Sequence, residues 1–349
     1  MPEAGRVSVP LPDDAAAVAD PAAVDLSARG LRGLVARVAE LLADAGVASP
    51  RVDAEALVAW CLGVPRLEWV RMPASGPVVD DAAAPPFLAD LAEVVERRRA
   101  REPLQRIVGH TVFRHVTVRV LDDVFVPRPE TEVVAQLAVD EAARLVAERA
   151  GTGSSGPLVV DLCCGSGVIG ISVDVEVPGT RVVAVDASEA AVRATSANAE
   201  AVGSGTQRTL LGDVRDAGLL ADLDGTVDVV VANPPYIPPD AVPRDPEVRD
   251  HDPDLALYGG GADGLEVPRA VVRAAGRLLV PGGLFVMEHA EVQADAVRAL
   301  VAGTGALTDV RTVDDLTGRA RAVVARRVEG TNPANPRTPT VDGVGDWAP

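Results

Sequence analysis

The chain has 349 residues, 48% of them hydrophobic and only 3% aromatic, so its core must be built mainly from Ala, Val and Leu. Its net charge of −18 disfavours a nucleic-acid-binding protein, because such proteins usually present a basic face to the phosphate backbone. The N-terminal residues show no basic stretch leading into an apolar run, and no apolar run approaches the roughly 20 residues that span a bilayer. The three cysteines have neither disulfide nor zinc-site spacing. We therefore expect a cytoplasmic protein with no membrane span and no metal site.

The first part of the chain is predicted to be helical after a disordered N-terminal segment, residues 1–28. Apolar residues recur at helical spacing from Leu31 to Leu42, a second helix begins at Ser49-Pro50, and a third runs from Phe87 to Ala100. These helices predict a small bundle over residues 29–105. The inward face of the third helix is predicted to comprise Leu88, Leu91, Val94 and Val95. The basic cluster at its end is interpreted as a solvated helix end and comprises Arg97, Arg98, Arg99 and Arg101.

A β-hairpin is predicted over residues 106–128, because the apolar period changes there from 3.6 residues to 2. Val116, Val118 and Val120 alternate with polar residues. Leu121-Asp122-Asp123 is interpreted as the turn before a second strand, Val124-Phe125-Val126. The hairpin would join the helical domain to a second domain.

Strands and helices alternate from residue 129 to 328, which predicts an α/β domain with a mainly parallel sheet covered on both faces. A helix from Thr131 to Ala150 precedes the first strand, and one from Val292 to Val301 precedes the last two. The tail, residues 329–349, is expected to be disordered. The seven predicted strands are Leu158–Leu162, Arg181–Val185, Arg208–Leu211, Val227–Ala232, Leu284–Glu288, Leu307–Val313 and Ala320–Ala325.

Features that suit a nucleotide ligand follow the first three strands of this sheet. Cys163-Cys164-Gly165-Ser166-Gly167 forms a glycine-rich turn that would let the backbone approach a ligand closely, although a simple tight turn explains it equally well. Asp186 ends the second strand, where a carboxylate can bind two ribose hydroxyls, but it also suits a helix N-cap. Asp213 follows the third strand and could accept a hydrogen bond from an adenine amine. The pattern predicts an adenosine ligand and leaves NAD and S-adenosylmethionine both open.

The fourth strand ends in the motif Asn233-Pro234-Pro235-Tyr236, for which a plain strand-ending turn is the alternative. An amide nitrogen is a poor nucleophile, because its lone pair is delocalised into the carbonyl group. The side-chain oxygen of Asn233 and the backbone carbonyl of Pro234 could each accept one N–H and so direct the lone pair towards a methyl donor. Pro235 would stiffen the turn, and Tyr236 would lie against the planar group. The motif favours S-adenosylmethionine over NAD.

With these motifs the sequence resembles the class I methyltransferases, and within them the HemK/PrmC family of release factor glutamine methyltransferases. The resemblance covers about residues 30–328 and implies a Rossmann-like class I methyltransferase fold with a small N-terminal helical domain that helps to bind the release factor. It is carried also by the segments Glu102–Gln105, Gly109, Phe113, Val126–Glu132, Glu247–Pro253 and Pro281–His289.

The resemblance also implies roles for individual residues. Arg128 and Glu130 would shape the pocket near the methionine part of the cofactor. The chain departs from the family pattern at Cys163 and Cys164, where Gly and a small polar residue are common, and at Val214, where some relatives carry an aromatic residue. The glutamine would be held by Phe113, Asn233, Pro234, Pro235 and Tyr236. The S-adenosylmethionine pocket would be lined by Cys163, Cys164, Gly165, Ser166, Gly167, Asp186, Asp213, Val214 and Asn233.

The activity implied is methylation of the glutamine side-chain amide in the Gly-Gly-Gln motif of class 1 peptide chain release factors, by a monomer. Because the Asn-Pro-Pro-Tyr motif is shared with enzymes that methylate adenine, an N6-adenine methyltransferase acting on DNA or RNA is the alternative. The acidic charge argues against direct, specific nucleic-acid binding. A non-catalytic methyltransferase-like binding module is the third hypothesis, which the intact motif disfavours. His289 is interpreted as structural rather than as a proton acceptor, and residues 238–253 as a lid or a surface loop.

Overall fold

The computed structural model describes residues 26, 30–68, 84–203, 205 and 207–329. The terminal segments predicted to be disordered, 1–28 and 329–349, lie outside these residues apart from Leu26 and Glu329. The chain divides into two compact units, Met1–Val108 and Gly109–Pro349, which are called the helical unit and the sheet unit below. Among the described residues, no helix is both long and apolar enough to cross a membrane.

The helical unit contains α1 (Gly30–Asp44), α2 (Pro50–Cys61), α3 (Ala84–Arg99) and the short α4 (Leu104–Val108). As predicted, Ser49 is the N-cap residue of α2 and Pro50 follows it, although the Ser49 side chain makes no capping hydrogen bond. The prediction for Leu88 was wrong, because this side chain is 37% exposed. The buried stripe of α3 starts one position earlier, so that its apolar core residues are Phe87, Leu91, Ala92, Val94 and Val95.

Within the basic cluster at the end of α3, Arg98 contradicts the interpretation as a solvated helix end, because this residue is only 6% exposed. Its Nε atom donates to Oδ2 of Asp53 at 2.7 Å, and Nη1 donates to the backbone oxygen of Glu102 at 2.9 Å. Arg97 also pairs with Glu102, through an Nε to Oε2 hydrogen bond of 2.8 Å. The solvated interpretation failed because Asp53 lies on α2, 45 residues away in the chain. A buried ion pair therefore connects α2 to α3.

The sheet unit begins with an antiparallel hairpin of β1 (His110–Phe113) and β2 (Val116–Arg119). The predicted pairing was wrong, since residues 124–126 form no strand and the turn lies at Arg114 and His115. Arg114 has a φ of 50°, which suits the tight turn between the two strands. Val116 and Val118 were correctly predicted to alternate with exposed positions, because they pack into the core beneath the hairpin.

The rest of the sheet unit is an α/β fold with one seven-stranded sheet, as predicted, in the order β5-β4-β3-β6-β7-β9-β8. The first five strands in this order are parallel, and β9 is antiparallel to both of its neighbours. The strands are β3 (Leu158–Leu162), β4 (Arg181–Asp186), β5 (Arg208–Leu211), β6 (Val227–Ala232), β7 (Leu279–Glu288), β8 (Leu307–Asp314) and β9 (Ala320–Arg327). The helices are α5 (Thr131–Arg149), α6 (Val168–Glu176), α7 (Glu189–Val202), α8 (Pro246–Arg249), α9 (Asp254–Leu257), α10 (Glu266–Leu278) and α11 (Ala294–Ala302).

Helices pack on both faces of the mainly parallel sheet, so the fold is Rossmann-like. One layer packs α10 and α11 against it, and the other packs α5 and α6. Both central strands are buried along their whole length, which explains why their sequences are apolar except for one buried aspartate in each, Asp161 in β3 and Asp228 in β6. The chain passes from β3 outwards to β4 and β5, then returns to place β6 on the other side of β3. Ligands of such sheets bind outside the carboxyl ends of the strands at this reversal.

Candidate functional site

A cavity of about 520 Å³ opens at the carboxyl ends of β3, β4 and β6, which is within the range of about 300–1,000 Å³ typical of small-molecule sites. The glycine-rich turn and the Asn-Pro-Pro-Tyr turn both line it, so the two predicted motifs share one space. The predicted site residues that line the cavity are Arg128, Glu130, Cys163, Cys164, Gly165, Ser166, Asp186, Asp213, Val214, Asn233, Pro234, Pro235 and Tyr236.

The glycine-rich turn depends on left-handed backbone conformations. Gly167 is the N-cap residue of α6 with a φ of 84°, and a Cβ atom there would lie 2.8 Å from Cγ2 of Thr195. Gly167 therefore shapes the turn without being among the lining residues. Cys163 has a φ of 59°, a conformation that glycine adopts without strain but a side chain with a Cβ atom does not. This explains why glycine would suit the position better.

Asp186 links the turn to the end of β4. Its Oδ2 atom accepts a hydrogen bond from the backbone N–H of Gly165 at 2.9 Å, and its Oδ1 atom accepts one from the N–H of Ser188 at 2.9 Å. Burial raises the pKa of this carboxyl group, and these backbone donors oppose the effect. The N-cap of α7 is Ser188, whose Oγ accepts from the N–H of Ala191, so the alternative interpretation of Asp186 as the N-cap was wrong.

The other predicted adenosine contact, Asp213, is half-exposed and paired with Arg215. Nη2 of Arg215 donates to Oδ2 of Asp213 at 2.7 Å, and this hydrogen bond lowers the pKa of the carboxyl group. A charged carboxylate remains available at this position, but Arg215 shares its oxygen atoms. The sequence did not point to this partner two residues along the chain.

The two adjacent cysteines are poor nucleophiles. Burial raises the pKa of both Cys163 and Cys164 well above the usual value for a thiol, and Asp161 and Asp186 add to the effect. Since the thiolate is the reactive form, neither side chain is suited to covalent catalysis. The Sγ atom of Cys164 instead lies 3.4 Å from the Thr195 hydroxyl, within the wall of the site.

The Asn-Pro-Pro-Tyr turn is held from three sides. Nδ2 of Asn233 donates to Oγ1 of Thr131 at 3.3 Å, and the hydroxyl of Tyr236 donates to Oε1 of Glu288 at 3.2 Å. Nε2 of Gln293 donates to the backbone oxygen of Tyr236 at 2.8 Å. Burial raises the pKa of the Tyr236 hydroxyl, so it stays protonated as a hydrogen-bond donor. These contacts leave the turn little freedom to move.

The segment after this turn covers part of the cavity. Val248 and Pro253 line it together with residues 255–258 of α9 and its end. Nη2 of Arg128 donates to Oδ2 of Asp252 at 2.7 Å, and the Asp252 side chain is fully buried. The guanidinium group of Arg128 also lies 5.3 Å from the centre of the Phe125 ring. The covering segment is thus anchored to the chain that enters α5, although its movement as a lid stays a prediction.

Some predicted residues lie elsewhere. Phe113 is 1% exposed in the core beside α5 and is not among the residues that line the cavity, so the structure does not support a substrate contact there. His289 is also buried, and its Nδ1 lies 2.9 Å from the backbone oxygen of Ala290, which agrees with the structural interpretation. Sequence reasoning missed Thr131 and Glu288. The available signal was a carboxylate that ends an otherwise apolar strand.

Comparison with known proteins defines the class and then the family. The Methyltransferase small domain matches residues 128–243, which include the glycine-rich turn and the Asn-Pro-Pro-Tyr turn, and the PrmC N-terminal domain matches residues 34–109. The fold and these matches define a methyltransferase with a family-specific helical unit.

Relatives align over most of the chain. It is 39% identical to the release factor glutamine methyltransferase of Bifidobacterium longum, covering 84% of this chain and 98% of the relative. It is 44% identical to that of Streptomyces coelicolor, covering 84% and 96%. A 4-amino-L-phenylalanine/4-methylamino-L-phenylalanine methyltransferase of Streptomyces pristinaespiralis is 43% identical over 65% of this chain and 74% of its own length. The chain belongs to the release factor glutamine methyltransferase family.

Proposed function

We propose that this protein transfers the methyl group of S-adenosylmethionine to the side-chain amide nitrogen of the glutamine in the Gly-Gly-Gln motif of class 1 peptide chain release factors. The observation that carries the proposal is the shared cavity: the glycine-rich turn and Asn233 line one space of a size that suits a small-molecule ligand. Family membership and the match to the PrmC N-terminal domain support the same substrate.

The residues of the cavity fit an adenosine-containing cofactor. Asp186, at the end of β4, offers carboxylate oxygens to ribose hydroxyls, and Gly165 keeps the backbone close to it. Asp213 offers a second carboxylate in the same cavity, suited to the exocyclic amine of adenine. An unphosphorylated ribose suits this acidic surface, since a 2′-phosphate would be repelled. S-adenosylmethionine, once bound, supplies a sulfonium methyl group that is already activated towards displacement.

The chain itself contributes orientation. The Asn233 side-chain oxygen and the Pro234 carbonyl each accept one N–H of the target amide, so that the nitrogen lone pair faces the methyl donor. As the nitrogen forms its bond to the methyl carbon, the bond between that carbon and sulfur breaks, and the nitrogen then releases a proton to solvent. A strong general base is unnecessary, because the methylated nitrogen is acidic. Tyr236 lies against the planar amide and limits its rotation.

The helical unit is proposed to recognise the release factor, as the match to the PrmC N-terminal domain suggests. We further propose that the enzyme acts in the cytoplasm, where its substrate is made, and works as a monomer. Its net charge of −18 disfavours a function through direct contact with nucleic acid.

Methyl transfer should be measured with radiolabelled S-adenosylmethionine and four acceptors: an intact class 1 release factor, a free Gly-Gly-Gln peptide, an adenine-containing oligonucleotide and 4-amino-L-phenylalanine. We expect transfer to the release factor, weaker transfer to the peptide, and none to the other two. 4-Amino-L-phenylalanine is included because one relative, which aligns over a shorter part of the chain, is a methyltransferase of that compound. Transfer to the oligonucleotide alone would establish the adenine alternative, and no transfer at all would favour a binding module.

The role of Asn233 has its own test. Asn233→Ala removes the side-chain oxygen that accepts an N–H, so we expect transfer to fall by at least about 100-fold, because misplacement of a reacting group is costly. The affinity for S-adenosylmethionine, measured by calorimetry, should fall only a few-fold, about 1 kcal/mol, since most cofactor contacts lie on other strands. Full activity of this variant would refute the orientation mechanism.

A further inference from the structure

A buried carboxylate behind the cavity connects two residues of the Asn-Pro-Pro-Tyr turn. Glu288 ends β7 and is 2% exposed. Its Oε2 atom accepts a hydrogen bond from the Thr131 hydroxyl at 2.8 Å, and its Oε1 atom accepts one from the Tyr236 hydroxyl at 3.2 Å. Burying a carboxylate is costly, and the hydrogen bonds from Thr131 and Tyr236 offset part of that cost.

The direction of these hydrogen bonds determines how the Asn233 amide is oriented. The Thr131 hydroxyl has one proton, and it gives that proton to Glu288. Thr131 can therefore only accept from Asn233, which requires the Nδ2 side of the amide to face it, as the 3.3 Å contact shows. The carbonyl oxygen of Asn233 then lies on the opposite side of the planar group. That oxygen is the acceptor that the proposed methyl transfer needs.

The charge on Glu288 sets this direction. A carboxylate can accept from both hydroxyl groups at once, whereas a protonated carboxyl group must donate its proton to one partner. If it donates to Thr131, the hydroxyl turns its own proton towards Asn233. The amide would then have to flip and present its NH₂ group, a donor, where an acceptor is needed.

The surroundings of Glu288 bring this change within the physiological range. Burial raises the pKa of Glu288 to about 7, and the nearby Glu130 adds to the effect. Arg321 on β9 and the hydroxyls of Thr131 and Tyr236 oppose it. Arg321 is itself held by Asp315, with its Nη2 atom 3.1 Å from Oδ2. Both forms of Glu288 are therefore accessible near neutral pH.

We propose that Glu288 is a positioning residue that acts through Thr131 to keep the carbonyl oxygen of Asn233 directed at the substrate amide, and that directly holds Tyr236. This inference rests on the proposed function for its catalytic consequence, but the orientation of Asn233 is a property of the protein alone. Neither Glu288 nor Thr131 needs to touch a reacting atom.

The catalytic test compares Glu288→Gln and Thr131→Val with the conservative Thr131→Ser. We expect kcat for release factor methylation to fall about 10- to 100-fold in the first two variants and less than about threefold in Thr131→Ser, since a misplaced group costs up to about 100-fold. Affinity for S-adenosylmethionine should stay within about threefold in all three, because Asp186 and Gly165 are untouched. Glu141→Gln is the matched control, a buried carboxylate on α5 that pairs with Arg144 and Arg326 far from the turn.

The pH profile separates positioning from a general loss of packing. Wild-type kcat should rise with pH through an inflection near the pKa of Glu288, about 7, because deprotonation restores the acceptor. Glu288→Gln should lose this inflection, and the Glu141→Gln control should keep it. Wild-type activity and an unchanged profile in Glu288→Gln would overturn the proposal, as would equal losses in Thr131→Ser and Thr131→Val.

A measurement without substrate distinguishes this proposal from the proposed function. In wild-type protein labelled with ¹⁵N-asparagine, the side-chain NH₂ signal of Asn233, assigned by its loss in Asn233→Asp, should shift with pH near 7, the pKa of Glu288. A pH-independent signal would refute the link even if every variant were inactive through misfolding. A titrating signal in a protein that does not methylate the release factor would refute the proposed function and leave the positioning intact.

Discussion

At the scale of single residues, one position of the glycine-rich turn has a strained backbone, because a cysteine stands where glycine would fit. Cys163 occupies a left-handed conformation with a φ of 59°. A residue with a Cβ atom costs roughly 1 kcal/mol there compared with glycine. Its neighbour Cys164 has an ordinary negative φ and packs its thiol against Thr195. The two cysteines therefore make opposite contributions, although they look equivalent in the sequence.

Replacing Cys163 with glycine should stabilise the protein. We expect Cys163→Gly to raise the free energy of unfolding by about 1 kcal/mol, because it removes the left-handed strain. The matched change Cys164→Gly should lower it by about 1–2 kcal/mol, because it empties a buried position. Urea denaturation of both variants checks this, and destabilisation of Cys163→Gly would show that its thiol packing outweighs the strain.

Glu288 should cost stability as the pH rises. Its pKa is about 7 in the folded protein against an ordinary value of 4.5. Between these values the folded protein holds a proton that the unfolded chain has released, so raising the pH favours unfolding. Relative to Glu288→Gln, we expect the free energy of unfolding of the wild type to fall by up to about 3 kcal/mol as the pH rises from 4.5 to 7. Chemical denaturation across this range measures the difference, and parallel curves for the two proteins would contradict it.

At the scale of secondary structure elements, the central strands were the most predictable part of the molecule. β3 and β6 were predicted with their observed ends, because a buried parallel strand is a short and mostly apolar run, interrupted here only by Asp161 and Asp228. The hairpin was harder to predict, since the strand at Val116 has an apolar stretch on each side of it in the sequence. It pairs with the preceding stretch, His110–Phe113, because the backbone turns at Arg114. The Phe113 contact was implied by the resemblance alone, and the structure does not support it, because this side chain is buried in the core and does not line the cavity.

The segment that covers the cavity gives a prediction at this scale. Arg128 holds it through the buried carboxylate of Asp252. We expect Asp252→Asn to weaken this anchor and raise the dissociation rate of S-adenosylmethionine about tenfold, equivalent to about 1.4 kcal/mol. Arg249→Ala, which breaks an exposed pair with Asp250 on the same segment, should have no effect and serves as the control. Filter binding with labelled cofactor measures both rates, and equal rates would show that the anchor is unimportant.

At the scale of the whole molecule, the two units should respond separately to mutation. Asp53 is buried against Arg98 inside the helical unit, whereas the predicted cofactor contacts all lie in the sheet unit. Asp53→Ala would leave the buried Arg98 without its carboxylate partner. We therefore expect the free energy of unfolding of the helical unit to fall by about 3 kcal/mol. Affinity for S-adenosylmethionine should be unchanged.

Hydrogen exchange of α2 and α3, with calorimetry of cofactor binding, tests this separation. Glu55→Ala, which breaks the exposed pair with Arg51, should change stability by less than about 0.5 kcal/mol and provides the comparison. A parallel loss of cofactor affinity in Asp53→Ala would mean that the units do not behave independently.

The motifs at the mouth of the cavity could be predicted because each lies within a few residues of a strand end. The contacts among Asn233, Thr131 and Glu288 could not, because they join positions 102 and 157 residues apart. Asp213 shows a further limit: its position was predicted, but its pairing with Arg215 depends on side-chain conformation. Local sequence patterns therefore predict which residues line the cavity. The long-range contacts that support these residues become visible only in the folded structure.

The antiparallel strand β9, which pairs with β7, also affects the chemistry of the site. Arg321 on β9 lowers the pKa of Glu288, and Asp315 in the preceding turn competes for the same guanidinium group. Substitutions in this outer hairpin could therefore retune the working pH of the enzyme without altering any residue that meets a ligand. Adaptation to a more acidic or more alkaline environment would then proceed through the edge of the sheet.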